Sequence, residues 1–417
     1  MNVDVAVIGG GPAGLSAAKE IAKNGGRAVV IDENPRLGGK LLGQLHEEPS
    51  GNWWWKGYEV AQTLAGEAAE AGAVLLTRTQ VWAIESGWTV YTADAANRTG
   101  GTEREIRAGA VLLATGAVER PLPLPGWTLP GVMTIGAAQV LTNVYRVKPG
   151  RRVLIAGVDV LSLTIGRAMA MAGVDVLGIV LPAANRLAWG KGDPRRILTD
   201  LRAVAHLAPS ALLRMGRLML EHPLGVELAA RFYPAEGLKV WGIPIQLRKA
   251  LVAIHGREQV TGAEIADIDS RGRIVPGTSE VLAVDAVCLS GGLTPLGELA
   301  ATVGCEFVRV EGLNGAVPLH GPELETTVPG IFVAGNITGI EGAKVAMAQG
   351  ELAGISICRR LGIGGVTEQE VGEAQEKLAS IRDRADIQFH PRIREGRRVL
   401  NELWDKAKGE EFVPRTV

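Results

Sequence analysis

The sequence predicts an α/β fold built from two βαβ-type domains, the first discontinuous and the second inserted between its halves. Three observations carry that expectation. A glycine-rich turn, Gly9-Gly10-Gly11-Pro12-Ala13-Gly14, lies between a Val/Ile-rich run and an amphipathic segment. The same strand–helix–strand pattern returns about 150 residues later. Glycine supplies 55 of the 417 residues without a G-X-Y period, well above its usual share of about 7%. That excess suits a chain with many tight turns and close backbone approaches.

Residues 3–8 read as a short buried strand, and 15–23 as a helix with Leu15, Ala18, Ile21 and Ala22 on its apolar face, stopped at Asn24-Gly25-Gly26. Residues 27–32 form the next strand and close the first βαβ unit. A helix over 58–71 and strands at 73–76 and 81–84 follow, then a meander over 87–108 with a polar turn at 97–101. The apolar strand 110–114 runs into Thr115-Gly116-Ala117, and Pro121, Pro123, Pro125 and Pro130 mark a boundary. Beyond it, strand 152–156, helix 160–172 and strand 174–180 make the second βαβ unit. Residues 186–232 are helical in pattern, with eight basic side chains against four acidic ones. Strands return at 251–254, 262–269 and 284–289, and a last strand at 331–334 precedes a helix over 342–361. The domain boundaries that follow are 1–120 with 291–364 for the first domain, 121–290 for the second, and 365–417 for a charged helical tail, exposed or packed on a partner.

Composition excludes several functions. The chain has 44 basic and 45 acidic residues, so bulk charge offers nothing to nucleic acid. Its cysteines, Cys288, Cys305 and Cys358, have no C-x-x-C spacing, which excludes a redox dithiol of that type or a four-cysteine cluster within it. No metal-ligand or Ser/His/Asp constellation is evident, so no metal site is expected. No apolar run reaches the length of about 18 residues that spans a bilayer. No signal peptide precedes the first strand. A cytoplasmic location is the expectation, with peripheral attachment at the inner face of a membrane left open.

The first glycine turn carries the chemistry. Gly9 permits the tight turn, Gly11 lets backbone approach a pyrophosphate, and Gly14 lets helix and strand pack closely. The helix N-terminus offers free N–H groups to phosphate. Asp32, 23 residues after Gly9, ends the second strand where a carboxylate receives a ribose hydroxyl, and Glu33 is the neighbouring alternative. The second unit departs from this pattern. In Gly157-Val158-Asp159-Val160-Leu161-Ser162 only the first glycine survives, and Asp159 stands where phosphate should approach. The strand after it ends at Leu181-Pro182 without a ribose carboxylate. NAD(P)H binding of the usual kind is therefore doubtful in this domain, and a different nucleotide there is left open.

Three further segments join the first motif: Leu37-Gly38-Gly39-Lys40, a strand ending in Ala114-Thr115-Gly116, and a strand ending in Gly335-Asn336. Together they resemble the two-dinucleotide-domain flavoproteins, in layout similar to thioredoxin reductase, and imply two Rossmann-like domains with FAD in the first. The cofactor set implied is Gly9, Gly11, Pro12, Ala13, Gly14, Asp32, Glu33, Gly39, Lys40, Gln44, Val81, Ala114, Thr115, Gly116, Gly335, Asn336, Ala343 and Lys344. That family normally has Asp where this chain has Asn336. By the same resemblance the helix opening near Gly342-Ala343-Lys344 points its N-terminus at the flavin, where Lys344 could add positive charge.

A narrower resemblance runs from Ala114 to Pro121 and through Pro125-Gly126-Trp127-Thr128-Leu129-Pro130-Gly131-Val132-Met133-Thr134. It is to the FAD-containing alpha subunits of heteromeric amine and amino-acid dehydrogenases, the branch of sarcosine oxidase, opine oxidases, dye-linked proline and hydroxyproline dehydrogenases and hydrogen cyanide synthase. That branch implies a hetero-oligomer in which a partner flavin subunit handles the amine or amino acid. Many of its members end in a cysteine-rich iron–sulfur segment, and no cysteine follows Cys358 here, so a cluster would sit on a separate small polypeptide. The segment 186–232, which does not match, is a candidate docking or membrane-surface patch. His46, with Gln44 between the glycine loop and Trp53-Trp54-Trp55, is the best-placed candidate for proton transfer, and Lys344 the second catalytic candidate. Two other functions stay open: a self-sufficient NAD(P)H:acceptor oxidoreductase, and a structural or nucleotide-sensing role within a complex.

Overall fold

A computed structural model describes the chain except for residues 48–52, 96–102, 189, 203–218, 386–387 and 410–417. The polar turn expected at 97–101 and the middle of the 186–232 segment, with Arg214 and Arg217, therefore lie outside the described residues. The described chain divides into two compact units. One comprises Met1–Leu42, Gly57–Val118 and Leu293–Val417, the other Gly43–Lys56 and Glu119–Gly292.

The first unit is built on a seven-stranded sheet. Strand β1 (Asn2–Ile8) lies at its centre, parallel to β2 (Ala28–Ile31) on one side and to Arg104–Leu113 on the other. Helix α1 (Pro12–Lys23) makes the crossover. Val74–Leu76 extends the sheet beyond β2, and Ile331–Val333 pairs in parallel with Arg104–Leu113. The hairpin Thr79–Glu85 and Thr89–Asp94 joins antiparallel to the outer half of that long strand. Val5, Val7, Val29, Leu112 and Ile331 are fully buried, which is why these strands read as continuous apolar runs. Helix α1 packs along the helix Ala343–Leu361. A methyl group on Gly350 would lie 2.1 Å from the Ala13 carbonyl oxygen, so glycine alone permits that crossing.

The second unit holds an eight-stranded sheet ordered Val132–Thr134, Ala286–Leu289, Arg152–Ala156, Asp175–Pro182, Ile243–Gly256, Val260–Asp267 and Glu280–Ala283, with Leu238–Val240 paired to the long strand. The helix Val160–Met171 makes its βαβ crossover. Of the expected helical segment, Pro194–Arg202 and Pro223–Phe232 are described helices.

Two features differ from the sequence reading. The segment Gly43–Lys56 groups with the second unit, although its neighbours in sequence belong to the first. The reason is local. The guanidinium of Arg167 lies 4.9 Å from the centre of the Trp54 ring and 4.7 Å from that of Trp241, and it reaches Glu47 at 3.1 Å. The C-terminal segment is helical as expected, at Glu368–Asp383 and Ile393–Gly409, but it belongs to the first unit. Ile393 and Leu400 are buried against Val310, Leu313, Val317 and Leu319, so the charged composition hides one narrow apolar stripe.

Candidate cofactor site

The glycine turn after β1 has the geometry that its spacing requires. Gly9 has φ +105°, and a methyl group there would lie 2.3 Å from the carbonyl oxygen of Ala114. Gly14 is as tightly placed, 1.9 Å by the same measure from the Gly9 carbonyl oxygen. Gly11 is different: nothing lies within 4 Å of where its methyl group would point. Gly11 is also the N-cap of α1, with Pro12 in the first turn and no side chain capping it. The first turn thus keeps its N–H groups for an outside acceptor beside open space.

The remaining parts converge on this turn. Asp32, buried at the end of β2, accepts from Gly10 N–H at 2.7 Å through Oδ2 and from Asn34 N–H at 2.8 Å through Oδ1. Glu33 is exposed, which leaves Asp32 as the acid tied to the glycine turn. The loop Gly38-Gly39 folds back so that Gly38 N–H donates to Gly10 O at 2.7 Å, and a methyl group on Gly39 would come within 3.2 Å of Gly11 Cα. Gly335 sits 3.0 Å, by the same measure, from Ala13 Cβ. The helix Ala343–Leu361 opens at Gly342, again with no side-chain cap and with nothing within 4 Å of the added methyl.

Other expected residues are placed less directly. Thr115 Oγ1 donates to Leu296 O at 2.6 Å, so that hydroxyl is engaged within the protein. Asn336 Oδ1 accepts from Glu341 N–H at 3.2 Å. Val81 packs against the core of the first unit. Lys40 and Lys344 are exposed. Gln44 and His46 belong to the Gly43–Lys56 segment of the second unit: Gln44 Oε1 accepts from Trp55 Nε1 at 3.1 Å, and the His46 ring stacks on Trp55 with centroids 6.1 Å apart. Sequence reasoning misses Gln349, whose Oε1 accepts from Gly335 N–H at 2.6 Å. A lone glutamine inside a helix carries no motif that would announce it.

The second unit has the same turn with a different filling. Gly157 repeats the φ of +105°, and its methyl group would lie 2.2 Å from Ser290 O. Here the helix N-terminus is closed by Asp159. Its carboxylate accepts from Ser162 N–H at 3.0 Å, while Ser162 Oγ accepts from Asp159 N–H at 2.9 Å, a reciprocal capping box. Lys191 Nζ pairs with the same carboxylate at 2.9 Å, and Ser290 Oγ donates to it at 2.9 Å. The position that receives phosphate in an open turn of this type holds the chain's own anion.

The three cysteines are all buried and free. Burial pushes the Cys288 thiol up to about 12 and that of Cys358 to about 11, which makes them poor thiolate nucleophiles.

Comparison with known proteins bears on family and fold. Residues 3–204 match the pyridine nucleotide-disulphide oxidoreductase family, and 316–362 match the glucose inhibited division protein A family. An opine oxidase subunit of Rhizobium meliloti (strain 1021) is 32% identical over 366 residues, which cover 86% of this chain and 71% of that protein. The chain belongs to the family of that opine oxidase subunit. The corresponding protein of Agrobacterium tumefaciens (strain Ach5) is also 32% identical, over 85% of this chain and 65% of its own length. The chain therefore spans just under two thirds of that relative. Among solved structures, a thioredoxin reductase from T. acidophilum superposes with a TM-score of 0.60 at 20% identity, over 86% of this chain and 98% of that one. That likeness concerns the fold, and it matches the layout expected from sequence. By family the chain groups with opine oxidase subunits, and by fold with thioredoxin reductase.

The first unit fits FAD on its own geometry. An open, uncapped helix N-terminus, a glycine whose methyl would stand in that opening, and a buried carboxylate at the end of β2 form one cradle.

Proposed function

We propose that this chain is the FAD-holding, electron-transferring subunit of a heteromeric amine or amino-acid dehydrogenase. One observation carries the reading: the two glycine turns are alike in backbone, but the first leaves its helix N-terminus open and the second fills it with Asp159. A reductase fed directly by NAD(P)H needs the second turn open. With that entrance closed by its own carboxylate, reducing equivalents have to come from elsewhere, and the kinship to an opine oxidase subunit points to a partner that oxidises an amine.

In the cradle, Gly9, Gly11, Pro12, Ala13 and Gly14 hold the pyrophosphate, Asp32 the ribose, and Ala114, Thr115, Gly116, Gly335, Asn336 and Ala343 the flavin half. Bound there, FAD supplies reversible redox chemistry. The chain's residues fix its position, and the open N-terminus of the helix Ala343–Leu361 favours negative charge near it. His46, stacked on Trp55 in the Gly43–Lys56 segment, is the candidate proton carrier, and Lys344 the candidate cation at the helix start.

The working form is a hetero-oligomer. A partner flavin subunit handles the amine or amino acid, and a further small polypeptide carries an iron–sulfur cluster. Leu224, Leu228 and Phe232, spaced four residues apart on the helix Pro223–Phe232, are 68%, 53% and 72% exposed, a stripe suited to burial against that flavin partner. The location proposed is cytoplasmic. No helix among the described residues is long and apolar enough to cross a membrane.

Native co-purification with identification of bound cofactors tests the reading. FAD on this chain, together with a second flavin subunit in the complex, is the expected result. A flavin-free chain, or a flavoprotein that NADH or NADPH bleaches rapidly without partners, contradicts it.

A further inference from the structure

A hydrogen-bonded network joins the flavin-half loop to the C-terminal helix, wholly within the first unit. Gln349, which receives Gly335 N–H, donates through Nε2 to Thr338 Oγ1 at 3.1 Å. Thr338 in turn receives Arg397: its carbonyl accepts from Nη1 at 2.7 Å and its hydroxyl from Nη2 at 3.1 Å. Arg397 also pairs with the carboxylate of Glu341, which Arg382 reaches at 3.1 and 3.2 Å. The backbone N–H of Glu341 closes the circuit on Asn336 Oδ1. Both arginines come from the segment whose composition reads as a charged tail.

The charges here do not cancel. The side chains of Arg397 and Glu341 are only 11% and 10% exposed. Burial draws Arg397 down to about 10, so it stays cationic at neutral pH. Burial by itself would raise Glu341, but Arg397 and Arg382 hold it below its ordinary value, so it stays anionic. His320, buried beside them, is pushed by burial and by Arg397 to about 3 and is neutral. Two cations thus share one carboxylate, and Arg397 Nε has no hydrogen-bond partner among the described residues. Burying an incompletely compensated charge is costly, and a helix clipped on for stability alone would be served as well by apolar packing.

We propose that Arg397 is a positioning residue for the cofactor: it fixes the 335–342 loop and places excess positive charge behind it, so that the C-terminal helix sets both the affinity and the reduction potential of the bound flavin. This rests on the reading that Gly335, Asn336 and Ala343 line the FAD site. A positive charge behind that loop favours the more negatively charged, reduced state of whatever the loop holds, and so raises its potential.

The test uses the full chain, its variants Arg397→Met, Arg397→Lys and Arg382→Gln, FAD titration followed by fluorescence, and the midpoint potential by dye equilibration. Arg397→Met is expected to bind FAD about tenfold more weakly, the effect of losing a buried charged donor, with a more negative potential. Arg397→Lys should restore the potential toward wild type, because the charge returns. Arg382→Gln, whose side chain is less buried at 25% exposed, should shift the potential in the same direction with a smaller loss of affinity, and it decides the matter should Arg397→Met not fold. Folded variants with wild-type affinity and potential overturn the proposal. A wild-type chain that binds no FAD overturns the underlying reading of the site instead.

Discussion

Gly9 and Gly11 stand two residues apart, and what a methyl group would meet separates their roles. At Gly9 it would strike the Ala114 carbonyl oxygen, in a backbone conformation that side chains rarely adopt. Gly9→Ala should therefore destabilise the first unit by about 1–3 kcal/mol or more, read as a lower urea midpoint. At Gly11 the methyl would enter open space, and the backbone is ordinary, with φ −77°. Gly11→Ala should leave the unfolding midpoint within about 1 kcal/mol of wild type while weakening FAD about tenfold or more. Equal effects of the two substitutions on stability would contradict this division.

His320 makes a second prediction at the same scale. Its Nδ1 lies 2.7 Å from Pro318 O, and its buried ring is held near 3 against an ordinary 6.5. The folded protein keeps the ring neutral while the unfolded chain takes up a proton below pH 6.5. Stability is therefore full above 6.5 and falls as pH drops toward 3. By pH of about 5 the loss is about 2 kcal/mol. His320→Gln should flatten that part of the stability–pH curve, and an unaltered slope would show that the ring is not held neutral.

The two crossover helices show how far an element can be read from its residues. Helix α1 is legible because glycine spacing, an apolar face and a terminal acid all lie within 32 residues. The helix Val160–Met171 is legible as a helix with a damaged turn, but the groups that complete its closure are not: Lys191 and Ser290 lie 32 and 131 residues from Asp159. Gln349 escapes for the same reason, since its partner Gly335 is reached only through the fold. The C-terminal helices show their helicity in their pattern. Their packing is hidden, because in Ile393–Gly409 only Ile393, Gly396 and Leu400 are buried among many charges, and the deeply covered Arg397 reads as one more of them. The clasp of Arg167 on Trp54 and Trp241 likewise joins residues with no shared motif. The capped helix carries its own prediction: anaerobic mixing with NADH or NADPH should leave the flavin band unchanged over seconds. Fast bleaching would mean that Asp159 and Lys191 part to admit a dinucleotide.

At the scale of the whole molecule, one open turn and one closed turn describe a chain that holds a redox cofactor and lacks the usual entrance for a soluble hydride donor. Its buried thiols add no redox relay of their own, with Cys288 and Cys358 pushed up to about 12 and 11. Under the proposed function, electrons arrive from a partner polypeptide and leave to another acceptor. The exposed stripe of Leu224, Leu228 and Phe232 belongs to this scale: Leu228→Glu should leave the isolated chain folded and flavin-bound but reduce recovery of the partner on co-purification. The most direct test of the central claim is amino-acid turnover, with an artificial acceptor, by the FAD-loaded chain alone and after addition of its co-purifying partner. The chain alone should show a flavin spectrum and negligible turnover, with turnover restored by the partner. Robust oxidation of an amino acid by the chain alone would contradict the account.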